Sequence, residues 1–121
     1  MEIYVPRVEM EDGELQYRAI HRYKDVWLHI VYAPQPRTMR LVVKPIVRRT
    51  GVPEYTAEPI AEYRNREENV HWWRFRVDGQ LLQVSLIQGE PLGDGIHAQG
   101  VALAVSLHES VSEEASDGDG A

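Results

Sequence analysis

The chain of 121 residues contains no cysteine. Disulfides, thiolate zinc sites, iron–sulfur clusters and thiol nucleophiles are thereby excluded, and the absence fits a reducing compartment. Long apolar runs are missing as well. The longest unbroken stretch of Ala, Val, Ile, Leu or aromatic residues is the five-residue segment Val101 to Val105, whereas a membrane-spanning helix needs ~20. The opening segment Met1-Glu2-Ile3-Tyr4-Val5-Pro6 carries an acid where a signal peptide carries positive charge, and Pro6 and Arg7 interrupt any apolar stretch. These features predict a soluble, cytoplasmic chain without membrane insertion, or part of an assembly made in the cytoplasm.

Lysine and phenylalanine are scarce too. Of the 13 basic residues only Lys24 and Lys44 are lysine, the rest being arginine, whose planar fork stacks on aromatics and grips carboxylate or phosphate. High genomic GC content produces the same bias. With one Phe against six Tyr and three Trp, most aromatics carry a polar handle suited to half-exposed surfaces. The net charge of -6 is uneven: Glu109, Glu113, Glu114, Asp117 and Asp119 lie in a final segment without a base, leaving residues 1 to 108 almost neutral. The length suits one domain that buries about two-thirds of its unfolded surface. The expected organisation is a single β domain over 1–108 and an acidic, disordered tail over 109–121.

Two Asp-Gly pairs separate alternating segments, and Asp-Gly favours a two-residue type I′ hairpin. A turn at Asp12-Gly13 sets Met10 against Leu15 and Val8 against Tyr17. It also sets Arg7 against Arg18, a mild like-charge penalty. A second turn at Lys24-Asp25 sets Tyr23 against Val26, His21 against Leu28, Ala19 against Ile30 and Tyr17 against Tyr32. A one-residue slip would invert every side chain, so agreement across two turns fixes the register. A turn at Asp78-Gly79 pairs Val77 with Gln80, Phe75 with Leu82, Trp73 with Val84 and His71 with Leu86; the mixed opposite face predicts a more central position. The likeness of the two Asp-Gly turns is shared turn chemistry rather than duplication, because Leu15 and Leu81 fall on different faces.

Elsewhere, Met39 to Val47 is apolar at both parities, which predicts a strand covered on both sides, with a bulge or an edge at Pro45. Residues 54 to 69 read as a strand by the alternation of Tyr55, Ala57, Pro59, Ala61 and Tyr63. A short helix near 59–68 is the alternative, with Pro59 as its first residue and Glu62 four before Arg66. A last strand runs from Val101 to about His108. The fold class is all-β: an antiparallel sandwich or flattened barrel of about seven or eight strands built from hairpins.

The most suggestive constellation is an Arg and Trp pattern on outward faces. Arg22 faces Trp27 with Arg18 beside them, and Trp72, Arg74 and Arg76 share a face. Flat aromatics between guanidinium groups can form a platform for bases of single-stranded nucleic acid or for sugar rings. Cross-strand stacking that merely covers a sheet produces the same pattern. His21 and His71 lie on apolar faces and read as hydrogen-bonded boundary histidines, with a metal pair as the alternative. The long segment 88–100 holds Glu90, Asp94 and His97, which could contact a partner or a hard cation; its glycines match no phosphate-binding fingerprint. Ser85 and Ser106 sit within strands and no nucleophile elbow is present.

No catalytic residue, metal site or cofactor is therefore expected. The predicted role is a non-enzymatic binding or assembly module that engages a protein partner or itself. Such modules recur as accessory subunits of large complexes, virus particles among them. The alternative is single-stranded nucleic-acid or carbohydrate binding through the Trp/Arg face. The acidic tail is either a solubilising terminus or a competitor for the Arg face. Competition predicts that removing residues 109 to 121 tightens binding of an anionic ligand at low salt, an effect that fades as salt is raised. Unchanged affinity and oligomeric state leave only the solubilising role.

Overall fold

A computed structural model of the chain describes residues 1–46, 53–88 and 100–108. These form ten strands: β1 (Glu2–Tyr4), β2 (Arg7–Glu11), β3 (Glu14–Tyr23), β4 (Val26–Ala33), β5 (Thr38–Pro45), β6 (Tyr55–Ala57), β7 (Ala61–Asn65), β8 (Val70–Val77), β9 (Gln80–Gln88) and β10 (Val101–His108). They build two five-stranded antiparallel sheets, ordered β2-β3-β4-β5-β6 and β1-β10-β9-β8-β7. The sheets pack face to face as a β-sandwich and do not close into a barrel. Among the described residues no helix is long and apolar enough to cross a membrane.

The turn chemistry is as expected. Asp12 and Gly13 have φ of 53° and 81°, and Asp78 and Gly79 have 53° and 78°, the paired left-handed conformations of a type I′ turn. The registers follow: Val8 faces Tyr17, Ala19 faces Ile30, and Phe75 faces Leu82. The like-charge pair Arg7 and Arg18 is real, and Arg18 is neutralised by ion pairs to Glu9 and Glu11 on β2.

One alternative falls and one expectation needs correction. Residues 54 to 69 hold strands, as the alternation indicated, and no helix forms near 59–68; β7 pairs with β8, Tyr63 facing Trp72 and Glu62 facing Trp73. Nor is β5 covered on both sides, because Arg40 is exposed and Val42 only half-buried. The strand tally rises to ten because two strands are split where the chain leaves one sheet for the other, at Val5–Pro6 and between β6 and β7. Proline stands at both crossings, Pro6 and Pro59, where a residue without an N–H leaves no gap in a ladder. Pro45 is accommodated by the same logic. The Ile46 amide donates to the Asp25 carbonyl, so the nitrogen of Pro45 faces the β6 side, and β6 pairs only with Leu41 to Val43.

The split strands supply all four sheet edges and are the shortest in the molecule. Strands β1 and β6 have three residues and β2 and β7 five, against eight to ten in the interior strands. Short edges offer little template for strand addition. The core between the sheets holds Leu28, Ile30, Tyr32 and Leu41 from one side and Trp73, Phe75, Val84 and Leu103 from the other. Trp73 sits at its centre, 5.8 Å from the Tyr32 ring across the sheet gap and stacked at 3.9 Å on His71. Truncating an aromatic buried this deeply costs about 3–5 kcal/mol.

The Asp78-Gly79 turn isolates a backbone effect. A Cβ at Gly79 meets nothing within 4 Å, so Gly79→Ala should destabilise only through its left-handed φ, by roughly 1–2 kcal/mol. Urea unfolding measures this as a lower midpoint with an unchanged slope.

Candidate functional site

Strands β3, β4 and β5 turn three cross-strand rows to the outside. Register places Arg18, Val31 and Arg40 in one row, Ile20, His29 and Val42 in the next, and Arg22, Trp27 and Lys44 in the third. Ile20 is 52% and Trp27 38% exposed. The face thus has an apolar centre of Ile20, Val42 and Trp27 within a basic frame. Arg18 is not available to a ligand, because Glu9, Glu11 and Gln16 all hold its guanidinium. Arg22 stands 5.9 Å from the Trp27 ring centroid, near the outer limit of a cation–π contact. Among the described residues the ion pairs of this face are confined to Arg18.

The other half of the expected Trp/Arg constellation lies on the outer face of the second sheet, with the whole core between. Arg18, Arg22 and Trp27 therefore do not share a surface with Trp72, Arg74 and Arg76. Here Trp72 is flanked by its own chain. Tyr63 stacks on it at 5.5 Å and the Arg74 guanidinium lies 4.2 Å from its centroid. Arg74 is held in turn by a 2.9 Å hydrogen bond to Gln83, which donates to Ser85 at 3.3 Å. This is cross-strand stacking that covers a sheet, and a base or sugar docking on Trp72 must displace part of it. Arg76 is exposed on the same face. Tyr63 was invisible as a member of the stack because the sequence left residues 54 to 69 between two readings.

The histidines divide as well. His21 meets Tyr4 of β1, whose hydroxyl is hydrogen-bonded to Nδ1 at 2.6 Å. His71 is buried and its Nε2 lies 2.7 Å from a Glu62 carboxylate oxygen on β7. The two thus have different partners, and among the described residues no three of His, Cys, Asp and Glu gather to hold a metal ion. Glu90, Asp94 and His97 lie outside the described residues.

Desolvation lowers His29 below the ordinary imidazole value, aided by the positive charges of Lys44 and Arg18 and opposed by Glu54. Desolvation likewise lowers His21, with Glu2 opposing and the N-terminal ammonium assisting. Burial, followed by the charge of Glu2, raises the Tyr4 phenol. The Tyr4–His21 pair is thereby kept neutral, and His29 joins the apolar centre of its face as a neutral ring.

No protein-family model matches the chain, and neither a curated protein nor a solved structure matches it significantly.

The lowered histidines set a pH dependence. A group that binds its proton less well in the folded state contributes fully above its unfolded value near 6.5, and that contribution is lost as pH falls below it. Denaturant midpoints should therefore decline on acidification from pH 7.5 to 5. Lys44→Gln should raise the NMR-titrated value of His29 while leaving that of His21 in place; an unmoved His29 contradicts the assigned cause.

Proposed function

We propose that the protein is a non-enzymatic binding or assembly module that engages a protein partner, or a second copy of itself, through the outer face of β3, β4 and β5. One observation carries this reading: exposed Ile20 and Trp27 beside half-buried Val42, framed by Arg22, Arg40 and Lys44. Trp and Arg around a desolvatable apolar centre are the residues that dominate binding energy in protein interfaces. The matching surface is apolar at its centre and acidic at its rim. The short edges favour docking on the sheet face over strand addition. A role as accessory subunit of a large complex, such as a virus particle, fits a module of this kind.

Single-stranded nucleic acid or carbohydrate binding is a second reading, favoured by the row Arg22, Trp27 and Lys44, where an exposed indole lies between two cations. The readings separate by experiment. Light scattering over a dilution series should show association that Ile20→Asp abolishes with little loss of stability, since the side chain is already half in water. Trp fluorescence titrated with oligo(dT) and soluble glycans tests the other reading, with Trp27→Ala as control. A chain monomeric to millimolar concentration excludes self-assembly, and quenching by oligo(dT) lost in Trp27→Ala transfers the face to nucleic acid.

A further inference from the structure

A second site lies at one end of the sandwich, away from the face just described and independent of its function. A cavity of about 200 Å³ opens between the β4–β5 turn and the β7–β8 turn. Arg37 enters it from the first turn, Arg64 from the end of β7 and Arg66 from the second turn, and among the described residues no carboxylate lines it. The three guanidiniums come from two different sheets. They act on one another: desolvation, then the charges of Arg37 and Arg66, lower the exposed Arg64 from the ordinary guanidinium value, opposed by Tyr32 and Glu62. Arg37 and Arg64 also both act on the Tyr32 phenol, whose net shift upward is set by burial. Among the described residues none of the three forms an ion pair.

His71 forms part of the same wall. It is 6% exposed, its Nε2 is engaged by Glu62, and among the described residues its buried Nδ1 has no hydrogen-bond partner. Like charges gathered without a counter-ion repel one another, and an anion in the cavity relieves that repulsion. By contrast, the amides of Asn65 and Asn69 are already used. Asn65 donates to the Tyr63 hydroxyl and accepts from the Glu68 amide, and Asn69 donates to the Gln88 carbonyl. They brace the turn that carries Arg66.

We propose that this cavity binds a phosphoryl group, free or as the end of a phosphate monoester, with Arg37, Arg64 and Arg66 gripping its oxygens. The choice of ligand follows from the donors. Guanidinium forks match phosphate oxygens with paired charge-assisted hydrogen bonds. A terminal phosphoryl group carries between one and two charges near neutrality and has three oxygens to present. A halide offers no directional acceptors, and a diester offers one charge, two non-bridging oxygens and no proton. Asn65, Asn69 and Gln88 supply the rest of the polar lining, and Tyr32 and Glu62 also act on Arg64.

The test uses the full chain labelled with ¹⁵N, following arginine Nε–Hε and His71 ring signals. Titrants are sodium phosphate, phenyl phosphate and dimethyl phosphate, with sodium chloride at matched ionic strength. Saturable shifts with phosphate are expected, with dimethyl phosphate at least tenfold weaker. Phenyl phosphate binding as well assigns the site to a monoester, and its exclusion to the free ion. His71→Ala also removes the ring stacked on Trp73, so Arg37→Gln and Arg64→Gln carry the mutational arm. Each should weaken phosphate binding at least tenfold. Each should also abolish the phosphate-induced rise in Tm, while leaving Tm without phosphate unchanged or higher. Shifts reproduced by sodium chloride, or affinities unaltered in both variants, overturn the proposal.

Discussion

The contact of Trp73 with Tyr32 across the sheet gap, and with His71 on its own strand, holds the two sheets in relation to each other. The indole fills the centre of the core, and its neighbours on both sides are rings rather than aliphatic chains. An imidazole stacked at 3.9 Å cannot rotate freely, which fixes the direction of its ring nitrogens. One nitrogen then meets Glu62 and ties β7 to β8 beyond the backbone ladder. The position of β7 carries Tyr63 to the outside, against Trp72, and Arg64 to the basic cavity. A packing decision in the core is thereby transmitted to two surfaces.

A second constraint is the management of edges. A flat sandwich of this size has four edges, each an unpaired row of backbone groups open to other chains. Splitting the first and middle strands gives each sheet two short edges, and the chain changes layer at prolines that have no amide to strand. The outer faces are left as the large open surfaces. They differ in character: one has a basic frame around an apolar centre, and the other is knitted by Tyr63, Trp72, Arg74 and Gln83 into contacts of its own. Surface side chains that satisfy one another have less to gain from a ligand than side chains that do not.

Much of the fold was legible in the sequence because hairpin signals are local. Asp12-Gly13 and Asp78-Gly79 name a turn type, the turn type sets the pairing, and a period of two then assigns every side chain to a face. The face residues Arg22 and Trp27 were found in this way. Residues 54 to 69 resisted for an equally physical reason. Pro59 opens a helix as readily as it marks a crossing between sheets, and three- and five-residue strands are too short for alternation to decide. With β7 undefined, neither Tyr63 on Trp72 nor Glu62 on His71 could be seen, and with β1 unassigned the Tyr4–His21 pair was hidden as well.

The sequence by itself determined the all-β class, the registers of the hairpins and the parity that sends Arg18, Arg22, Trp27, Trp72, Arg74 and Arg76 outward. These depend on backbone sterics and on neighbours within one hairpin. Only the tertiary structure decided that those six residues divide between opposite faces, that Arg18 is neutralised by Glu9 and Glu11, and that Arg37, Arg64 and Arg66 meet at one cavity. Such convergence depends on how two sheets are stacked, and that is fixed by the shape of side chains such as Trp73 filling the gap, a property no single strand contains.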